Sequence, residues 1–313
     1  MKLIKPSFTI IEQGPGIEGI YKQIEMAGRT CYKSEDKITE TSAKEFVDRM
    51  IRSGHGAMLE HGTVYLKYEA ELVRGIQECD IKFSKYKNNK FSVYNTSRIE
   101  RNNNVLIGGY VTTNLRVLVE NDWMEDLQYL CEPTYFHEKR YTVKFTCDRG
   151  VTHEFVRHRV FSFAQESTRY CNYSKDKFGN EITCILPPWI NESDLPEGVG
   201  YTSDDWGSLM CEYYYEASEK GKENGFTIDP VRNFVYSLQA SERLYFSLLK
   251  EGWKAQEARA VLPTAVKAEL VMTGFVDDWK HFFHLRTATG AHPQARELAS
   301  PLQDEFVIRK YIS

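Results

Sequence analysis

Long apolar runs are missing from this sequence. No stretch approaches the roughly 20 residues that a membrane-spanning helix requires, and the N-terminus carries no signal-peptide pattern, so a cytoplasmic protein with no membrane partner is expected. Close cysteine pairs are missing as well. The seven cysteines (Cys31, Cys79, Cys131, Cys147, Cys171, Cys184, Cys211) lie no closer than thirteen residues apart. That excludes a C-x-x-C zinc or redox motif, and the odd, scattered set reads as reduced thiols. Positive charge is not in surplus, since 40 Lys and Arg stand against 44 Asp and Glu. General nucleic-acid binding, which rests on a broad basic surface, is therefore not expected, and an anion site has to be a local concentration of arginines. Internal repeats, low-complexity tracts and the G-x-G-x-x-G loop of Rossmann dinucleotide binding are also absent. What remains is a chain of 313 residues, 42% hydrophobic and 27% charged, able to bury a sizeable core.

The local concentration is the stretch Arg157 to Arg169, RHRVFSFAQESTR. Its density of arginine, histidine and hydroxyl donors has no physical reason in an ordinary solvated loop and reads as a phosphate and nucleotide site. A helix over residues 152–160 would make side chains two apart diverge by roughly 160°, so Arg157 and Arg159 would address two ligands, or a ligand and a neighbouring subunit.

Along the chain, Ile17, Ile20, Ile24 and Ala27 recur at helical spacing, and a second helix near 43–52 opens with Ser42 and Glu45 in capping-box spacing. Residues 63–69 alternate as a strand. The interval from about 75 to 139, rich in Asn and Lys, reads as an insertion, with an apolar run at Val105 to Ile107 and a helix-like stretch around Leu115 to Leu130. Residues 141–148 are a clean strand, with Tyr141, Val143, Phe145 and Cys147 on one face. Further on, helices are expected at Trp206, Leu209, Met210 and Tyr213 and at Glu242 to Leu249. A short helix ends before Pro263, a strand carries Val266, Ala268, Leu270 and Met272, and Asp277 opens a helix whose last turn holds Arg286.

Metal sites are tempting and rejected. His55 and His61 are six apart with Gly56 between them, and His153 and His158 are five apart, about 140° around a helix, where the zinc-protease motif needs four. His281 and His284, three apart, could be called a metal pair, and that reading is also set aside. No metal is expected.

Arg-His-Arg followed by seven residues and Ser, with Arg two further on, resembles the signature of the flavin-dependent thymidylate synthases, and Arg157, His158, Arg159, Ser167 and Arg169 fill it. Three other segments are similar to that family in the same order: AGRTCY at 27–32, GHGAMLEH at 54–61, and residues 257–286, which contain A-R-A-V-L-P and H-L-R. The resemblance implies an α+β fold, a small, mostly antiparallel sheet packed with helices rather than a Rossmann fold, in a single catalytic domain over 1–313 with the insertion at about 75–139. It implies a methyltransferase that converts dUMP to dTMP, taking carbon from methylenetetrahydrofolate and hydride from FAD reduced by NADPH, in a homotetramer with active sites between subunits.

On this resemblance dUMP is contacted by Glu154, Arg157, Gln165, Glu166, Ser167, Thr168, Arg169, Arg259 and Arg286, with Arg286 the catalytic residue that activates the uracil ring. FAD is contacted by His55, Glu60, Arg157, His158, Arg159, Gln165, His281 and His292. The chain departs from the family where His292 stands six residues beyond Arg286 instead of four, and at Ala164 and Asp277. Ser167 has no base beside it in sequence and is assigned to nucleotide binding rather than nucleophilic attack. The cysteine-dependent route to thymidylate would need a Pro-Cys-His stretch, which the chain lacks. Two other classes remain: a non-catalytic nucleotide or single-stranded nucleic-acid binding module that uses the same arginines and stacks bases on Phe161, Phe163 and Tyr170, and a metal-dependent hydrolase that uses some of the eight histidines.

Overall fold

The computed structural model describes residues 1–101, 104–175, 178–195 and 229–313. The helix expected at Trp206 to Tyr213 lies outside the described residues. In chain order the elements are β1 (Lys2–Ile4), β2 (Ser7–Ile11), α1 (Gly16–Tyr32), α2 (Ser42–Arg52), α3 (Gly56–Leu59), β3 (Thr63–Glu71), α4 (Leu72–Lys87), β4 (Val93–Arg101), β5 (Asn104–Asn114), α5 (Leu115–Glu120), β6 (Arg140–Asp148), α6 (Arg149–Phe155), β7 (Ser162–Gln165), β8 (Thr183–Ile185), α7 (Pro230–Lys250), α8 (Ala255–Ala258), β9 (Lys267–Phe275), α9 (Val276–Arg286) and α10 (Pro293–Ile308), with short 3-10 turns between them. The architecture is α+β. Its strands form a four-stranded sheet ordered β2-β6-β9-β7, a three-stranded sheet ordered β3-β5-β4, and the pair β1-β8. The β3–β5, β4–β5 and β7–β9 ladders are antiparallel, and β1–β8 is parallel.

Chain packing defines two compact units. The larger comprises Phe8–Phe145, Glu154–Glu166 and Glu269–Ser313; the smaller comprises Met1–Ser7, Thr146–His153 and Ser167–Ala268. One core of the larger unit gathers Ile20 and Ile24 of α1, Phe46, Val47 and Met50 of α2, Val64 and Leu66 of β3, Phe83 and Tyr86 of α4, and Val111 of β5. Period-3.6 helical faces and period-2 strand faces thus meet in one apolar layer. A second, aromatic core surrounds Trp279, whose ring lies 4.7 Å from Phe161 and 5.3 Å from Phe306, with the indole N–H donating to the Tyr141 carbonyl at 3.2 Å. Gly274 makes room for it, because a Cβ there would meet the Phe161 ring at 2.5 Å. In the smaller unit Cys171, Tyr173, Ile182, Cys184, Leu238, Tyr245 and Val266 close a third core.

Several expectations change. Within the interval read as an insertion, α4 and the β4–β5 hairpin extend β3 into a sheet. Lys82 bridges the rings of Tyr68 and Tyr129, lying 4.7 and 5.0 Å from their centroids. The helix-like stretch near 115–130 is broken into α5 and a 3-10 turn at Met124–Tyr129, with Asp122 between them in the left-handed region at φ 58°. The Ser42 capping box does not form. Thr41 holds the cap position of α2, and the Ser42 hydroxyl instead donates to Glu25 at 2.8 Å.

Candidate functional site

The segment that carries Arg157, His158 and Arg159 is not helical. Helix α6 stops at Phe155, and the chain continues through tight turns in which the N–H groups of Arg157, His158 and Phe161 donate to the carbonyls of Glu154, Phe155 and His158. The reason is a distant side chain. Arg286, in the last turn of α9, donates from Nη2 to the Glu154 carbonyl oxygen at 2.8 Å, from Nη1 to Glu154 Oε2 at 2.6 Å, and from Nε to His158 Nε2 at 3.0 Å. The carbonyl that a continuing helix would offer to residue 158 is thus occupied by a guanidinium. Helix α9 is fixed for this role by Asp278, which caps it by accepting the Phe275 N–H at 3.0 Å, and by its buried face of Trp279, Phe282 and Phe283.

The larger unit therefore brings Glu154, His158 and Arg286 into direct contact. Arg157 and Arg159 flank His158 and are exposed, and their guanidiniums form no hydrogen bond or ion pair among the described residues. His281 is exposed, its ring 6.1 Å from that of His158. His55 and His292 are exposed as well, at the starts of α3 and α10. Glu60 is already engaged: its carboxylate pairs with Arg116 at 2.5 Å, and its carbonyl accepts from Arg140 at 3.1 Å. Gln165 ends β7, and buried Glu166 follows it, accepting the Glu269 N–H at 3.1 Å.

Sequence reasoning missed the charges gathered around Glu166. Glu269 Oε2 pairs with Lys33 at 2.7 Å and Lys144 at 3.4 Å, and Lys33 also reaches Glu35 at 3.2 Å. Burial pulls the Lys33 ammonium down, but its hydrogen bond with Glu269 and the charges of Glu269, Glu166 and Glu35 outweigh that and leave it above its ordinary value. The signal was available, because alternation along β6 and β9 puts Lys144 and Glu269 on the polar faces of two strands that neighbour in the sheet. The Cys31 thiol sits against the Gln165 backbone, and burial pushes it up to about 11.

In the smaller unit, Ser167 accepts the Arg169 N–H at 3.4 Å, Thr168 is buried, and exposed Arg259 donates to the Thr168 hydroxyl at 3.2 Å. Among the described residues no imidazole or carboxylate bonds the Ser167 hydroxyl. This arrangement suits an anion-binding serine better than a nucleophile.

His158, His61 and His137 are held neutral, each lowered first by burial. Burial, then the charges of Arg286 and His281, lowers His158 to about 4, and burial with the Arg140 charge lowers His61 to about 3, from an ordinary 6.5. Neutral His158 accepts from Arg286 at Nε2 and so carries its proton on Nδ1. A depressed histidine is protonated first in the unfolded chain. Its stabilising contribution is complete above pH 6.5 and is lost as the pH falls towards about 4 for His158 and about 3 for His61. The urea midpoint is therefore expected to drop across that window, and His61→Gln, which removes one of these titrations, is expected to flatten the drop. An equally steep profile in the variant would refute the assignment.

No group of His, Cys, Asp and Glu able to hold a metal ion is found among the described residues, and no helix there is long and apolar enough to cross a membrane. The donors instead suit an anionic organic group. In the larger unit the exposed guanidiniums of Arg157 and Arg159 have no competing carboxylate among the described residues, and in the smaller unit Arg169 and Arg259 are exposed in company with the Ser167 and Thr168 hydroxyls, so each group of donors offers charge-assisted hydrogen bonds.

Comparison with known proteins agrees with that chemistry. The family model described as thymidylate synthase complementing protein matches residues 93–308, and the chain belongs to this family. Among curated relatives it is 30% identical over 165 residues to the flavin-dependent thymidylate synthase of Pyrococcus abyssi, a match covering 52% of each chain. It is 23% identical over 291 residues to that of Corynebacterium glutamicum, covering 92% of this chain and 76% of the relative. The matched part thus spans about half the length of the first relative and about three quarters of the second. A solved UMP/dUMP methylase, PolB from Streptomyces cacaoi bound with 5-Br dUMP, aligns over 98% of this chain and 93% of its own at 16% identity and a TM-score of 0.40.

Proposed function

We propose that this chain is a flavin-dependent thymidylate synthase, a methyltransferase that converts dUMP to dTMP, with its catalytic domain running over residues 1–313. Methylenetetrahydrofolate and NADPH are its co-substrates, FAD is its cofactor, and it works in the cytoplasm as a homotetramer with active sites between subunits. The observation that carries this reading is Arg286, oriented on three sides by Glu154 and His158 in a chain of this family.

Bound FAD, reduced by NADPH, supplies the hydride. The protein supplies position and charge. Arg157, His158, Arg159, Gln165, His281 and His292, with His55 and Glu60, are assigned to the flavin. Ser167, Thr168, Arg169 and Arg259 are assigned to the nucleotide phosphate, where each charge-assisted bond contributes about 1.5–3 kcal/mol. Glu154, Arg157, Gln165, Glu166 and Arg286 are assigned to the remainder of dUMP. Arg286 stabilises negative charge that develops on the uracil ring as its nitrogen 3 loses proton character, which makes carbon 5 electron-rich without attack by a thiolate. Ser167 binds and does not attack.

The test is the visible spectrum of the purified protein, before and after FAD, NADPH and dUMP are added anaerobically. A flavin band that bleaches with NADPH at a rate changed by dUMP is expected. A colourless protein that neither takes up FAD nor oxidises NADPH would overturn the reading in favour of a nucleotide-binding module.

A further inference from the structure

Arg286 presents an unusual edge, because the guanidinium comes with an acceptor fixed beside it. Nη1, Nη2 and Nε are held by Glu154 Oε2, the Glu154 carbonyl and His158 Nε2. Glu154 Oε1 bonds nothing among the described residues, and the two side chains are 15% and 26% exposed for Arg286 and Glu154, open enough to meet a ligand and sheltered enough for their charges to count.

A guanidinium donates only. The Watson–Crick edges of the two common pyrimidines differ at nitrogen 3: uracil carries N–H between two carbonyl oxygens, whereas cytosine has a bare nitrogen beside one carbonyl oxygen. Two adjacent acceptors suit an arginine fork, so Arg286 alone would receive cytosine at least as well as uracil. A carboxylate alongside reverses this, since it accepts from the uracil N3–H and repels the cytosine lone pair. His158 cannot take that part, because its Nε2 already accepts from Arg286.

We propose that Glu154 is the residue that selects uracil over cytosine nucleotides, acting through Oε1 while Oε2 keeps Arg286 in place. This rests on the assignment of Arg286 to the pyrimidine ring. A site that hydrogen-bonds a substrate N–H discriminates strongly against an analogue that lacks it, because the mismatched pair leaves buried polar groups opposed.

The test is titration calorimetry of dUMP and dCMP on the flavin-loaded protein, comparing wild type, Glu154→Ala and Glu154→Gln. Wild type is expected to prefer dUMP by about 100-fold or more, and Glu154→Ala to lower that ratio by about 10-fold to 100-fold. Glu154→Gln is expected to fall between them, since its amide can turn either O or N–H₂ towards the ring. Loss of structure would weaken both nucleotides together and leave the ratio unmoved, so the ratio reports selection and not folding; if the alanine variant does not fold, the glutamine variant decides. Wild type that prefers dUMP, with variants of unchanged ratio, overturns the role of Glu154 alone. Wild type that binds neither nucleotide overturns this inference and the synthase reading together.

Discussion

Arg286→Ala is expected to lower turnover by about 10²-fold to 10³-fold, the usual loss when one donor is removed from charge developing in a transition state. The measurement is single-turnover oxidation of reduced flavin with dUMP and methylenetetrahydrofolate present. Arg286→Lys should recover little of the loss. A lysine ammonium restores the charge but not the planar fork, and bonding Glu154 Oε2, the Glu154 carbonyl and His158 Nε2 would use all three of its N–H groups and leave none for the ring. A lysine variant with near wild-type turnover would show that charge alone suffices and that the three-sided anchoring is incidental. Both variants should also melt lower, because each weakens the contacts that end α6 at Phe155.

Trp279→Ala should be the most damaging change to stability. The side chain is fully buried among Phe145, Phe161, Phe282, Phe283 and Phe306, and its removal leaves a cavity together with an unpaired Tyr141 carbonyl. Aromatic-to-alanine changes in such cores cost about 3–5 kcal/mol, which in a chain of this size corresponds to a fall in Tm of roughly 5–8 °C. Trp279→Phe keeps most of the packing and loses the indole hydrogen bond, for about 1 kcal/mol. Thermal unfolding of both variants under identical ligand conditions checks the pair, and equal shifts would mean that the hydrogen bond, not the volume, holds this core. Because Trp279 sits in the helix that delivers Arg286, activity should fall with stability.

The sequence was most readable where one face of an element is buried. Strand β6 announces itself through Val143, Phe145 and Cys147, and α2 through Phe46, Val47 and Met50, because period and burial coincide. Strand β9 alternates only at its start, since its later residues Leu270 to Gly274 are buried on both faces. Helix α4 was hidden by its lysines, whose hydrocarbon stems lie over aromatic rings rather than breaking the chain, as Lys82 does over Tyr68. The arginine-rich stretch was legible as chemistry because a density of donors needs no tertiary knowledge. The conformation of that stretch was not legible. The contact that ends α6 comes from Arg286, 132 residues away, and no local propensity encodes it. Ser42 teaches the same lesson in smaller form, its hydroxyl drawn from a cap to a buried glutamate on another helix.

Thr273 has a consequence for how the chain comes together in time. Its hydroxyl joins that of Thr142 at 2.8 Å and His61 Nδ1 at 2.8 Å, partners 131 and 212 residues earlier in the chain. The β4–β5 hairpin can close within microseconds of being made, but this junction has to wait until β9 has left the ribosome, tens of seconds after His61 at ordinary rates of synthesis. Throughout that interval β6 and β7 have no β9 between them, and the edges that β9 will cover are open to pairing with another nascent chain.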